Sequence, residues 1–283
     1  MRTEYKEHPV CGRMLFLENG VLDVGVPLAY GLRIAHLSFA GEENVFFVQP
    51  PDDTRFTTPE GWRIRGGHRL WLAPESERDY FPDNAPIRYA IEGDAVILDQ
   101  ENDPRLGAKK AFVLTCDENR LRVRHLLRNT GNTPMECALW ALTMLKPGGK
   151  LTVPLPQRAG GMDPLYRLSF WDYSDPGDPR FHSDRNAIRV VSKRVDGEDR
   201  LKFGLGHPAG EIVYRNGSTE YVKHVPLFPD GVYPDGGVSF ECFVCNDMTE
   251  IEGLSPLKTI RPGETAEYEE ILELRRVKEG EKT

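Results

Sequence analysis

Leu121-Arg122-Val123-Arg124-His125-Leu126-Leu127, followed after Arg128 by Asn129-Thr130-Gly131-Asn132, decides how this chain folds. Leu121, Val123, His125 and Leu127 share one face of a strand, and Arg122 and Arg124 take the other, because side chains alternate at a period of two. The Asn/Gly cluster then reads as a turn. The same unit recurs. Leu28, Tyr30, Leu32 and Ile34 alternate with Ala29, Gly31, Arg33 and Ala35. Phe240, Cys242 and Val244 oppose Glu241, Phe243 and Cys245. Tyr268, Glu270, Leu272 and Leu274 alternate near the C-terminus. Turn signals at Asn19-Gly20, Glu92-Gly93-Asp94, Asp196-Gly197, Asn216-Gly217 and Asp235-Gly236 separate such runs, supplying the positive φ that tight turns use. The 22 Pro and 27 Gly interrupt any long amphipathic helix, leaving a helical turn or two near Glu75 to Tyr80. The pattern predicts an all-β, antiparallel sandwich or barrel.

The 283 residues are read as a single domain over 1–283, a length that all-β folds reach in one unit. A net charge of -8, from 36 basic and 44 acidic residues, argues against nucleic acid or an anionic membrane as partner. No run approaches the ~20 apolar residues of a membrane span. Met1 to Val10 is charged and lacks the apolar centre of a secretory signal. The five Cys, at 11, 116, 137, 242 and 245, have no framework spacing and read as reduced thiols in a cytoplasmic protein. Cys242 and Cys245 lie three apart on a strand and face opposite ways, and no second pair accompanies them, so no metal is expected. Asp52-Asp53 and Asp83 are too scattered for a metal site. Neither a Gly-x-Ser-x-Gly elbow nor a phosphate-binding loop occurs, and no cofactor is expected. Nothing in the sequence sets the oligomeric state.

The densest chemistry lies in Ile64-Arg65-Gly66-Gly67-His68-Arg69-Leu70-Trp71-Leu72-Ala73-Pro74-Glu75. Gly-Gly lets the backbone approach a ligand closely. Arg65, His68 and Arg69 offer donors, Glu75 an acceptor and Trp71 a flat face, which together suit a polyhydroxylated small molecule. The competing reading is a tight turn with solvated charges. Trp140 is a second platform for the apolar face of a sugar, or a core residue. Lys223 is a donor to hydroxyls or a carboxylate, or a loop charge. His36 and His125, in alternating apolar strands, read as structural. The aromatic segment Asp163 to Asn186 reads as a lid or site wall, or as a surface loop packed on itself. Lys278 to Thr283 reads as a charged tail.

Four segments in order resemble the galactose mutarotase-like (aldose 1-epimerase) superfamily: Gly31-Leu-Arg-Ile through Gly41 and Asn44; Ile64-Arg65-Gly66-Gly67 with Trp71 and Pro74; Asn129-Thr-Gly-Asn-Thr-Pro-Met135; and Leu254 through Pro262-Gly263-Glu264-Thr265. The resemblance implies an antiparallel β-supersandwich with a concave sheet face that binds sugars. It also implies exchange of sugar anomers, with a strand Glu as base and a His as acid. This chain departs from that pair. The strand Glu136 to Thr143 carries no His, and Asn246 stands where the Glu is expected, with Glu241 or Glu250 substituting in a shifted register. The resulting expectation is a small-molecule carbohydrate as partner, with Glu241 as base and His68 as acid. Arg65, Arg69, Trp71, Glu75, Trp140 and Lys223 would hold the sugar. The alternative is a sugar-binding or sensing module without catalysis.

Overall fold

The computed structural model describes residues 1–157, 160–162 and 164–277; Asp163 and the Lys278 to Thr283 tail lie outside the described residues. Three antiparallel sheets account for the fold. A four-stranded sheet holds Arg2–His8, Gly12–Glu18, Leu22–Pro27 and His36–Phe39 in that order. The centre of the ten-stranded sheet runs Ile212–Asn216, Thr219–His224, Thr265–Arg276, Arg120–Asn129, Ala108–Asp117. The eight-stranded sheet runs Leu168–Phe170, Leu201–Leu205, Phe240–Val244, Thr249–Leu254, Met135–Leu145, His68–Ala73, Arg33–Ile34, with Lys258–Ile260 also paired to Met135–Leu145.

The two large sheets enclose one apolar core. Leu121, Val123, Leu127, Leu272 and Leu274 come from one; Leu70, Leu72, Leu139, Ala141, Leu201, Phe203, Phe240, Cys242 and Ile251 come from the other. Each large aliphatic or Phe side chain so buried contributes roughly 1.5–3 kcal/mol. On the opposite face of the eight-stranded sheet, period two delivers a second row: Lys202, Glu241, Phe243, Glu250, Glu252, Trp140, Leu142, Arg69 and Trp71. Arg122 and Arg124 point outward and pair with Glu269 and Glu267. The short helix falls at Glu77–Tyr80, where the sequence suggested one.

Three sequence readings change. Leu28 to Leu32 forms no strand; only Arg33–Ile34 does, because Pro27 ends the preceding strand and Gly31 turns at φ +43°. Asn129 to Asn132 does not close a hairpin within one sheet. It carries the chain from the ten-stranded sheet to the eight-stranded one, and the Asn129 side chain donates to the Thr133 and Ile260 carbonyls at 2.8 Å each. Gly66 and Gly67, at φ +84° and +78°, admit no ligand. A Cβ there would strike the carbonyls of Phe47 and Ile34, so the pair serves close approach between backbones.

Candidate functional site

A cleft of about 310 Å³ opens on the outer face of the eight-stranded sheet. Trp62, Trp71, Trp140, Tyr80, Tyr173 and Phe243 give it aromatic walls, and Arg55, Arg69, Lys202, Glu75 and Glu250 give it charge. The floor follows from register. Trp71 lies opposite Trp140 and Arg69 opposite Leu142; Leu142 lies opposite Glu252; Glu252 opposite Glu241 and Glu250 opposite Phe243; and Phe243 opposite Lys202. Tyr173, from the segment read as a lid or wall, closes one side, and its neighbour Trp171 lies with its ring 4.6 Å from Lys202 Nζ.

Behind this floor the charges are buried and tightly coupled. Lys202 Nζ lies 2.9 Å from Glu241 and 3.5 Å from Glu252, and 4.4 Å from the Trp140 ring centre. Trp140 Nε1 donates to Glu252 at 2.7 Å. Burial pulls the Lys202 ammonium down, but Glu252 and Glu241 outweigh it and hold its pKa well above the ordinary lysine value. Burial drives Glu241 and Glu252 upward, against the pull of Lys202. Glu250 is pushed up to about 8, first by burial and then by the neighbouring Glu252 charge. Lys202 and Arg69 set two cations against three buried carboxyls, and Glu250, at about 8, holds its proton at neutral pH. Among the described residues Glu250 has neither hydrogen bond nor ion pair, although it is only 7% exposed. Arg69 stacks at 4.0 Å over Trp71 and 5.4 Å from Trp62; its Nε and Nη2 find no acceptor, and burial lowers its pKa to about 10.

Four of the residues singled out in the sequence, Arg69, Trp71, Glu75 and Trp140, meet in this cleft. Glu241 sits beneath it, 1% exposed and screened by Lys202. His68 and Lys223 do not join them. Both point into the space between the sheets and are fully buried, since His68 precedes Arg69 on one strand and must face the other way. The pairing of Glu241 with His68 is therefore not formed. Arg65 lies outside the cleft lining; it stacks 3.9 Å over Tyr30 and donates to Asn84 at 2.5 Å. Asn246 is occupied by a turn, bonding both ways to the Val195 backbone. Lys202 and Glu252 were not foreseen. In Leu201-Lys-Phe-Gly-Leu205 and Thr249-Glu-Ile-Glu-Gly-Leu254 they look like the solvated side of ordinary strands.

Comparison with solved structures places the fold. A galactose mutarotase-like protein from Lactobacillus casei superposes with a TM-score of 0.55 at 11% identity, over 93% of this chain and 100% of that one. One from Clostridium acetobutylicum gives 0.55 at 11% identity, over 97% and 98%. A TPR-domain containing protein from Parabacteroides distasonis gives 0.63 at 15% identity, over 96% of this chain but 48% of that one, so this chain spans about half of its length. The fold is thus galactose mutarotase-like. Scans of the sequence against protein-family models and against curated proteins find no match.

Proposed function

We propose that the cleft binds a carbohydrate ring and exchanges its anomers by acid–base catalysis. The observation that carries this reading is Glu250: a buried carboxyl open to an aromatic cleft, with no partner of its own and a pKa of about 8. Trp71, Trp62 and Tyr80 offer stacking surface for the apolar face of a pyranose. Lys202 and Arg69 offer donors to its hydroxyls. Glu250, protonated at neutral pH, delivers its proton to the ring oxygen. The Glu75 carboxylate, which lines the same cleft and accepts from Tyr80 Oη, takes the proton of the anomeric hydroxyl. The bond from C1 to the ring oxygen breaks as the C1 carbonyl forms; rotation and the reverse transfers close the ring on the other face. The Glu250 carboxyl as acid and the Glu75 carboxylate as base replace the Glu/His pair expected from the resemblance.

A second reading, sugar binding without catalysis, is favoured by one observation: among the described residues no His lines the cleft. NMR exchange spectroscopy on anomeric protons separates the two, using a panel of hexoses, pentoses, hexose phosphates and uronic acids. Accelerated exchange that Glu250→Gln abolishes, with binding retained, supports the enzyme. Binding without acceleration in the wild type leaves the binding module. No binding by any sugar refutes both.

A further inference from the structure

The buried polar groups between the two large sheets answer one another. Lys223 Nζ lies 2.9 Å from Glu270 and donates to the Ala141 and Ile251 carbonyls at 2.8 and 3.1 Å. His68 and His125 meet Nε2 to Nε2 at 2.8 Å. Their Nδ1 atoms reach Thr143 Oγ1 and the Tyr268 carbonyl at 2.8 and 2.9 Å. This second cluster, directly behind the cleft floor, is closed on itself. The cleft in front of it is not.

Among the described residues three cations line the cleft: Arg55, Arg69 and Lys202. Arg55 is held by Asp53 and Asp247, at 2.8 Å each. Lys202 lies between Glu241 and Glu252. Arg69 has no such partner. No carboxylate among the described residues lies within ion-pair distance of it, and its Nε and Nη2 find no acceptor in a side chain only 3% exposed. Packing alone holds it, over Trp71 and Trp62. The acids that act on it from further off are already engaged. Asp83 pairs with Arg33, Asp79 accepts from the Leu72 and Ser76 backbone N–H groups at 3.1 Å each, and Glu250 keeps its proton. Arg33, itself fully buried, repels it. A guanidinium buried in this way is costly until an anion reaches it. A sugar hydroxyl would satisfy one of its N–H groups but none of its charge, whereas its planar fork of donors matches a carboxylate.

We propose that the cleft takes a reducing sugar acid whose single carboxylate sits on the Arg69 guanidinium. The inference rests on the carbohydrate reading above and narrows it to a substrate class. One spare cation matches one negative charge. A phosphate dianion would bring a second charge close to Glu75, Glu241 and Glu252, with no cation left to meet it. An aldonic acid has no anomeric centre to exchange. A hexuronate has both the ring hemiacetal and one carboxylate.

The test is titration calorimetry of the full chain, at fixed pH and ionic strength, with glucuronate, galacturonate, glucose, galactose and a hexose phosphate. A hexuronate is expected to bind at least about tenfold more tightly than its neutral hexose and than the phosphate. In Arg69→Gln that preference should fall to within about twofold. Equal binding of hexuronate and hexose by the wild type overturns the proposal, as does tighter binding of the phosphate or a preference that survives Arg69→Gln. In each of these cases the carbohydrate reading of the cleft stands. No binding of any sugar refutes that reading and this one with it. If Arg69→Gln fails to fold, a crystal structure with the preferred hexuronate decides: a carboxylate against Arg69 supports the proposal, and one against Lys202 or Arg55 sinks it.

Discussion

Replacing Glu250 with Gln should stabilise the protein, and by an amount that depends on pH. Burial, reinforced by Glu252, raises this carboxyl from 4.5 to about 8. Because the folded pKa lies above the unfolded one, the native state keeps a proton that the unfolded chain releases. The resulting stabilisation is complete below about pH 4.5 and is lost progressively as pH climbs through 8. At about 1.4 kcal/mol per unit, the whole span amounts to roughly 5 kcal/mol. Because Glu250 shares its environment with Glu252 and Arg69, we take about half, or ~2–3 kcal/mol, as the part that a single substitution recovers. Gln has the same shape and no proton to lose. Guanidinium denaturation of both proteins at equal ionic strength should show near-equal stability at pH 5 and a variant about 2–3 kcal/mol more stable at pH 8. A stability difference that does not change with pH would refute the reasoning, as would a variant that loses ground as pH rises. The same substitution should end anomer exchange, so stability would be gained at the expense of chemistry.

Two further substitutions probe the packing around the two clusters. Lys202→Met leaves Glu241 directly across from Glu252 with no cation between them, and should cost about 3–5 kcal/mol at pH 8. The loss should shrink at pH 5 as the carboxyls take up protons, and a cost under about 1 kcal/mol at pH 8 would contradict the buried ion pair. Gly253→Ala puts a methyl against the Glu270 carboxyl and the Tyr268 hydroxyl and should cost about 1–3 kcal/mol in denaturant melts; a neutral result would mean that Glu270 is not held in place.

Much of the fold is legible in the alternation. Leu121 to Leu127, Phe240 to Val244 and Tyr268 to Leu274 each show which side chains share a face. What alternation cannot show is what covers that face. Glu241, Glu250, Glu252 and Lys202 point away from the apolar core, as polar strand residues should. Their burial comes from Trp140, Trp171 and the Tyr173 segment, brought in from distant parts of the chain. Alternation also limits the ligand set: His68 and Arg69 are neighbours on one strand, so only one of them can face a sugar in the cleft. Glu270 illustrates the opposite difficulty. It sits on the same face as Leu272 and Leu274, and only the three-dimensional partners Lys223 and Tyr268 explain why a carboxylate can stay there.

The strand Met135–Leu145 runs between the two clusters like a party wall. Trp140 and Leu142 front the cleft, while Ala141 and Thr143, one residue along, are bonded to Lys223 and His68. Such a floor has no soft backing. A ligand that pressed Leu142 or Arg69 inward would have to move Thr143 or His68, and through them a polar lattice that spans both sheets. The cleft is therefore built to accept its guest with its floor already set, and adaptation to different guests falls to the Tyr173 side, which rests on loops.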